Sequence, residues 1–337
     1  RKCLFYVLLV SVLASYAEDK KAKAPKQTPV RTLLKEARTA IKNNRDQRNK
    51  EKSILEALKR EGLTNDQKAE IYLTASALEH SLNDQENLKA YLKQKYDTVA
   101  YYNTMLEASR YAILCDSIDT LANESGKVKP RYRGKNRDQL LLYRYNIYQG
   151  GRFFLRKSDY KNAYKYMSLY SDLAKHPLLV GHAKMQNDTL LQYSTYYSVL
   201  SAYNSNLHSD ALRYIDSAIS FADSSKCPVL QEYKVRCLQA LKKDDEWLAQ
   251  LKYGVNHYPK HDYFFVNLSK YYEDNKMQDE CLALADSMLE HVQDATIYWY
   301  TKSLMFLHKE QWLKCVEMAD VVLKREPEHI NALYNKA

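Results

Sequence analysis

Glycine and proline are scarce in this sequence, which has 7 of each among 337 residues. A phosphate-binding loop needs several closely spaced glycines, because its backbone must approach the ligand and adopt positive φ angles. Here only Gly150 and Gly151 lie near each other, so the composition argues against nucleotide-binding α/β folds. With few turn-forming residues, 45% hydrophobic and 27% charged side chains, the chain is expected to consist mostly of helices with short connections.

Cysteine is present in a number that does not suit a disulfide framework. After Cys3 the sequence has five cysteines, an odd number that cannot pair completely. If Cys227 and Cys237 share one helix, they lie about 15 Å apart at 1.5 Å rise per residue, beyond the reach of a disulfide. We therefore expect the cysteines to be small, buried apolar residues.

Long hydrophobic runs are absent except at the N-terminus. A basic start precedes an apolar run over residues 3–14 and the stretch Ser-Tyr-Ala at 15–17, after which the sequence becomes polar. This order of regions is that of a secretory signal peptide. The run of about 12 residues is shorter than the roughly 20 that a membrane-spanning helix needs. We predict a signal peptide over residues 1–17, cleaved after Ala17; a buried N-terminal helix is the alternative.

The rest of the sequence favours export without an anchor. No later run is long and apolar enough to span a bilayer, so no transmembrane segment is expected in the mature chain. No cysteine directly follows the first apolar run, so a lipid anchor is not expected. Short Asp-Ser/Thr-apolar triplets resemble an O-glycosylation signal that some Gram-negative bacteria use on exported proteins. They begin at Asp97, Asp116, Asp119, Asp188, Asp216 and Asp286. We predict a periplasmic or secreted protein of a Gram-negative bacterium.

The net charge of +10 is unevenly distributed along the chain. Residues 18–60 carry 14 basic and 6 acidic residues, whereas residues 61–337 carry 35 of each. A basic arm could bind an anionic glycan, a membrane surface or nucleic acid, although nucleic acid is not expected as the partner of an exported protein. The alternative is a solvated basic linker over residues 18–28, followed by a first helix. Its apolar stripe would consist of Leu33, Leu34, Ala37, Ala40 and Ile41.

A second basic run occupies residues 126–138. It surrounds Pro130 and Gly134, which favour a loop. Its basic residues are Lys127, Lys129, Arg131, Arg133, Lys135 and Arg137. Such a loop could grip a phosphate, a sulfated sugar or an acidic peptide. The alternative is a solvated hinge between two helical segments.

The second half of the sequence repeats itself with a period of 34 residues. The equivalent residues are Phe265, Trp299 and Leu333; Ser269, Ser303 and Ala337; and Cys281 with Cys315. This pattern resembles the tetratricopeptide repeat (TPR), a 34-residue helix-turn-helix unit with small residues at positions eight and twenty and an aromatic residue at position eleven. An earlier unit matches it with Gly151, Phe154 and Ala163 at those three positions.

The resemblance implies an all-α fold, a solenoid of antiparallel helix-turn-helix hairpins over residues 139–337. Residues 29–125 are expected to form further, degenerate helical hairpins. In one of the weaker units Trp247 stands at position twenty, where alanine is expected, so that unit is divergent. Because Ala337 falls at position eight, we expect the last repeat to be incomplete and the given sequence to be part of a longer chain.

The resemblance also implies a concave groove, lined by positions two, five, nine and twelve of the first helices. Position nine then reads Arg152, Arg236 and Lys270, a row of cations that could meet the carboxylates of a bound peptide between tyrosines. The alternative is that these side chains only cover the furrows between helices. The predicted groove residues are Tyr145, Tyr148, Arg152, Arg236, Tyr263 and Lys270.

Patterns typical of catalysis or cofactor binding are missing from the sequence. His257 and His261 bracket Pro259 in an inter-repeat turn, where one helix face cannot present both to a metal. No nucleophile elbow occurs. We therefore expect no catalytic residues, no metal and no cofactor. The predicted function is an exported scaffold that binds a protein or peptide partner. The alternatives are a ligand-sensing ectodomain of a longer membrane-anchored regulator, or a protein that binds an anionic polymer through the basic arm and loop.

Overall fold

The computed structural model describes residues 27–122 and 125–337, and these form fifteen α-helices and one short 3-10 turn, with no strand. The prediction of an all-α fold is therefore confirmed. The predicted signal peptide, and all of the basic linker except its last two residues, lie outside the described residues. The chain divides into two compact units, residues 1–143 and 144–337, so that the boundary falls within one helix.

Unit 1 consists of four helices and the start of a fifth. They are α1 (Val30–Asn43), α2 (Gln47–Ala57), α3 (Asn65–Tyr91), α4 (Thr98–Asp119) and α5 (Arg133–Arg156), the last of which continues into unit 2. Local sequence signals set the helix starts. The predicted capping box is confirmed, because the Thr64 hydroxyl accepts the amide of Gln67 at 3.2 Å and the Gln67 side chain accepts the amide of Thr64 at 3.0 Å.

The core of unit 1 lies where α1, α2 and α3 face one another. The stripe predicted for the first helix largely confirms this, since Leu34 and Ala37 are buried in the core beside Ile54 of α2 and Leu78 of α3. Amphipathic spacing on each helix therefore produces a shared apolar interior. The basic residues of α1 lie on the opposite, solvent-facing side.

Unit 2 consists of the second part of α5 and ten further helices. They are α6 (Tyr160–Leu173), α7 (Leu190–Asn204), α8 (His208–Phe221), α9 (Cys227–Ala240), α10 (Asp244–His257), α11 (Asp262–Asp274), α12 (Gln278–His291), α13 (Thr296–His308), α14 (Trp312–Arg325) and α15 (Ile330–Lys336). Consecutive helices pair into hairpins, in which α5, α7, α9, α11 and α13 are the first helices.

The predicted 34-residue period reappears in the helix boundaries of unit 2. The second helices α10, α12 and α14 begin at Asp244, Gln278 and Trp312, each 34 residues after the one before. The first helices α11, α13 and α15 begin with the same spacing. The hairpins of unit 2 are therefore TPR-like, as the sequence indicated.

Close packing within each hairpin occurs at positions eight and twenty. The Ser303 hydroxyl donates to the carbonyl of Cys315 at 3.0 Å, so the two helices approach closely where both residues are small. Gly151 has the same role in the first hairpin, because a Cβ atom there would lie 2.7 Å from Cε of Met167. In the divergent hairpin, Trp247 is half-buried at the edge of the core and packs edge-on against Tyr271 with ring centroids 5.8 Å apart.

The cysteines are buried, free residues in this packing, as expected. Cys115, Cys237, Cys281 and Cys315 are buried, and only Cys227 is half-buried. None of the described helices combines the length and the apolar character that crossing a membrane requires.

Candidate functional site

Most cations of the predicted basic arm are engaged within unit 1. Arg38 of α1 contacts Glu70 of α3 at 2.5 Å, and Lys50 of α2 contacts Glu36 of α1 at 2.8 Å. Arg48 pairs with two carboxylates of the unit interior, Glu51 and Glu79. These contacts tie the first three helices together, and they occupy charges that an anionic polymer would need.

The predicted basic loop is shorter than the sequence suggested. Helix α5 begins at Arg133, so the prediction of a loop over residues 126–138 was wrong for its second half. A single glycine costs a helix only about 1 kcal/mol, so Gly134 is tolerated in the first turn. The residues placed on the helix are Arg133, Lys135 and Arg137, whereas Lys127, Lys129 and Arg131 lie in the preceding segment.

Carboxylates at the end of α4 hold this basic segment. Asp119, which is buried, accepts the backbone amides of Arg131 and Tyr132 at 2.7 and 2.8 Å. Asp116 lies 3.7 Å from the guanidinium of Arg133. Arg131 also contacts Asp66 of α3 at 3.3 Å. Sequence inspection missed this because the acids precede the basic run by more than ten positions. The segment is anchored to α4 and does not form a freely exposed cluster of six cations.

The groove positions of unit 2 fall on the first helices, and clefts open between consecutive first helices. One cleft, between α5 and α7, has a volume of ≈ 460 Å³. Its lining comprises Tyr148, Arg152, Leu155, Arg156, Leu190, Tyr193 and Tyr197. We call it the arginine cleft. Of the predicted groove residues, Tyr148 and Arg152 line it, whereas Tyr145 is 60% exposed and does not.

The sequence analysis missed three of the lining residues of the arginine cleft. Tyr193 and Tyr197 come from α7, whose hairpin follows a 16-residue connection that breaks the 34-residue period. Arg156 follows Arg152 by one helical turn, so both guanidinium groups point to the same side of α5. The Arg152 and Arg156 spacing was readable from the sequence, but the neighbourhood of α7 was not.

The cations predicted at position nine differ in their surroundings. Arg236 is held by Glu232 of its own helix at 2.7 Å and lies over the ring of Tyr263 at 4.6 Å. Lys270 is held by Asp274 at 2.6 Å. Arg152 and Arg156 are exposed, and neither has an ion pair within 4 Å in the described part of the chain. The available positive charge of the groove is therefore concentrated at the arginine cleft.

The tyrosines of the groove are apolar surfaces with a polar edge. Tyr148 is only 6% exposed, and its burial raises the pKa of its hydroxyl. Burial likewise raises the pKa of Tyr263 to about 12, although Arg236 above its ring opposes the shift. Both hydroxyls therefore stay protonated at neutral pH and can donate hydrogen bonds.

A buried ion pair fixes the wall of the arginine cleft. Arg144, at the first position of its repeat, forms an ion pair with Asp188, which lies just before α7. The guanidinium also donates to the carbonyl of Tyr170 at 3.0 Å and lies 3.9 Å from its ring centroid. The Tyr170 hydroxyl donates to Asp188 at 2.8 Å. This network joins α5, α6 and the segment before α7, and therefore sets the distance between the two helices that flank the cleft.

A second cleft adjoins the first. It has a volume of ≈ 340 Å³ and is lined mainly by aromatic and small side chains. The lining comprises Gln192, Tyr193, Tyr196, Tyr197, Ala218, Phe221, Ala222, Asp223 and Lys226. We call it the aromatic cleft. Because Tyr193 and Tyr197 line both clefts, the two are continuous across one face of α7.

A smaller cleft of ≈ 180 Å³ lies between α11 and α13. Lys270, Val266 and Tyr300 are among its lining residues, so the groove positions of this later pair also face a furrow. Across the described ranges, no group of three or more His, Cys, Asp or Glu side chains is placed to hold a metal ion.

The fold defines the class of this protein as a helical-repeat protein with TPR-like hairpins. No family model matches the sequence, and no curated protein matches it. Solved structures with some similarity include YrrB, described as a TPR protein with an unusual peptide-binding site, at 14% identity and a TM-score of 0.39, covering 61% of this chain and 98% of that one. Two Rap structures cover 91% of this chain and 95% of theirs at 11% identity: a Rap protein complexed with competence and sporulation factor, with a TM-score of 0.31, and the apo form of RapI, with 0.33.

Proposed function

We propose that unit 2 is a non-enzymatic scaffold that binds an acidic peptide segment of a partner protein in its groove. The observation that carries this proposal is the pair Arg152 and Arg156, two exposed guanidinium groups without ion pairs, beside the tyrosine walls of the arginine cleft. Elsewhere in the described chain, arginines such as Arg38 and Arg236 meet carboxylates of the same unit. The partner's carboxylates would fill the corresponding role at the arginine cleft.

Physical chemistry favours a carboxylate as the ligand of this pair. A guanidinium group presents two parallel N–H donors that match the two oxygens of a carboxylate, and such charge-assisted bonds are about twice as strong as neutral ones. Tyr193 and Tyr197 supply large contact surfaces that lose little entropy on binding, together with hydroxyls that can donate to peptide carbonyls. The site therefore suits an extended acidic segment better than a small neutral ligand.

The buried thiols support a non-enzymatic role. Burial raises the pKa of Cys115 and Cys237 to about 11 and that of Cys281 to about 12. A thiol needs to ionise to act as a nucleophile, so these three cysteines are protonated and inert near neutral pH. Their small volume at the helix contacts accounts for their presence.

Export belongs to the proposal through the N-terminal sequence. The basic start, the apolar run and Ala17 predict cleavage and transfer across the inner membrane. The test is to express the whole sequence, preceded by an initiating methionine, in a Gram-negative host and to fractionate the cells. We expect the protein in the periplasm, lacking the residues up to Ala17; intact protein that stays in the cytoplasm would remove export from the proposal.

The groove assignment is tested with fluorescein-labelled peptides of about 12 residues. A Gly/Ser peptide with a central Glu-Glu pair should bind, while its Lys-Lys counterpart should not. The double variant Arg152→Glu, Arg156→Glu should lower the affinity at least about tenfold, because charge reversal turns attraction into repulsion. Arg31→Glu, at an exposed arginine of α1, is the matched control and should leave binding unchanged. Equal binding of acidic and basic peptides, or by the double variant and the control, would refute the assignment.

A further inference from the structure

The aromatic cleft differs from the arginine cleft in the charge that it presents. Its two charged residues, Asp223 and Lys226, neutralise each other at 2.9 Å. Hydrogen bonds from Ser225 and Lys226 hold the pKa of Asp223 well below its usual value, so the carboxylate stays charged and its partner stays occupied. The cleft therefore has no free charge to offer a ligand.

Small residues create the space in this cleft, and aromatic rings form its walls. Ala218 of α8 is buried at the cleft and Ala222 follows it by one turn, so no side chain fills the volume between them and α7. Phe221 is 45% exposed although it is fully apolar. Tyr196 and Tyr197 bring their rings together at 5.4 Å on the facing helix. A pocket with small residues at its base and partly exposed rings at its sides suits an uncharged apolar side chain.

Continuity joins the two clefts into one extended site. Tyr193 and Tyr197 lie one helical turn apart on α7 and line both. Packed helices are about 8–10 Å apart, and an extended peptide advances about 3.3 Å per residue. A peptide that crosses α7 from one cleft to the other therefore spans about three residues.

From this arrangement we infer that the preferred ligand is a segment with an acidic residue and an apolar residue about three positions apart. The acidic residue pairs with Arg152 and Arg156, and the apolar side chain enters the aromatic cleft between Phe221 and Tyr196. This inference rests on the proposed function, since it names the sequence class of the peptide that the groove binds. The aromatic cleft supplies specificity, because an apolar side chain gains from burial there while a second charged residue would lose its hydration.

The test uses labelled Gly/Ser peptides of about 12 residues with a fixed Glu-Glu pair. A single leucine is placed one, two, three, four or six positions from the pair, on either side, and a serine replaces it in the reference peptide. We expect the affinity to peak at a separation of about three residues on one side, roughly tenfold above the serine peptide. The protein variant Phe221→Ala should remove this gain but leave the binding of the serine peptide unchanged. Tyr91→Ala, at a strongly exposed tyrosine of unit 1, is the control.

The outcomes separate the two proposals. If acidic peptides bind and Arg152→Glu abolishes binding, but leucine has no effect at any spacing, the inference about the aromatic cleft is overturned and the proposed function stands. If leucine improves binding equally at all separations, or if Phe221→Ala weakens the leucine and serine peptides alike, the two-cleft arrangement is also overturned. If no acidic peptide binds, both fail. Because the serine peptide is measured with every variant, a variant that unfolds is recognised by the loss of all binding.

Discussion

Arg144 and Asp188, 44 positions apart in the sequence, form an ion pair whose side chains are only 8% and 11% exposed. The pair connects the first helix of the first TPR-like hairpin with the residue that precedes the second hairpin by one position. The ring of Tyr170 covers the guanidinium, and its hydroxyl donates to the carboxylate. The ion pair therefore holds the two sides of the arginine cleft in a fixed relation.

This relationship predicts a large stability effect. Asp188→Asn leaves the Arg144 charge buried without its counter-ion, and the loss of one partner of a buried pair costs on the order of 3–5 kcal/mol. We expect a clearly lower urea midpoint and weaker binding of the Glu-Glu peptide, because the cleft wall loses its support. The double variant Arg144→Met, Asp188→Leu should recover much of the stability. A single variant as stable as the parent protein would show that the pair contributes nothing.

Glu79 predicts a pH dependence in unit 1. Its side chain is 2% exposed, one oxygen pairs with Arg48, and the other has no hydrogen-bond partner in the described ranges. Burial, reinforced by the nearby Glu51, raises the pKa of Glu79 from 4.5 to about 8. The folded state therefore binds this proton more tightly than the unfolded state. Its stabilising effect is complete below about pH 4.5 and is lost as the pH rises through about 8.

The measurement is the urea midpoint between pH 5 and pH 9. The parent protein should lose stability, on the order of a few kcal/mol, across this range. Glu79→Gln keeps the shape but cannot ionise, so its curve should be flatter. Glu61→Gln, at an exposed glutamate, should follow the parent curve. Parallel curves for the parent protein and Glu79→Gln would contradict the assignment of the pH dependence to this residue.

Two helix glycines predict opposite tolerance to alanine. A Cβ atom at Gly254 would lie 2.2 Å from Cδ1 of Phe264, a buried ring that cannot move aside without displacing the core. At Gly151 the nearest atom is the flexible end of Met167, at 2.7 Å. Alanine gains about 1 kcal/mol over glycine in a helix. That gain should roughly offset the adjustment at Gly151, whereas overpacking at Gly254 should cost about 1–3 kcal/mol.

Thermal and urea unfolding of the two single variants decide this prediction. We expect Gly151→Ala to unfold close to the parent protein and Gly254→Ala to unfold earlier. The reverse order would show that Phe264 repacks more easily than Met167.

Thiol accessibility predicts which cysteine of the described chain reacts first. Cys227 is half-buried at the start of α9, whereas Cys115, Cys237, Cys281 and Cys315 are buried. In the folded protein we expect one fast reaction with an aromatic disulfide reagent at neutral pH, followed by the other thiols only on unfolding. Cys227→Ser should abolish the fast phase. A fast phase that persists in this variant would mean that a buried thiol becomes exposed in the native state.

Local sequence patterns predicted much of the fold. The capping box at Thr64, the period of 34 residues and the small residues at positions eight and twenty each depend on neighbours a few positions away or on a regular repeat. Such signals survive in the sequence because helix starts and hairpin contacts use the same spacing each time. The extension of α5 back to Arg133 escaped this approach, since Pro130 and Gly134 favoured a loop and the stabilising Asp116 lies on another helix.

The sequence by itself determined the helical-repeat architecture and placed Tyr148 and Arg152 at groove positions of their repeat. Only the tertiary structure decided which cations remain available: Glu232 and Asp274 occupy Arg236 and Lys270, whereas Arg152 and Arg156 face a cleft shared with α7. The physical reason is that periodicity records which face of a helix a side chain lies on. The charge and volume that it meets there depend on residues brought near through space, as Asp188 is brought to Arg144.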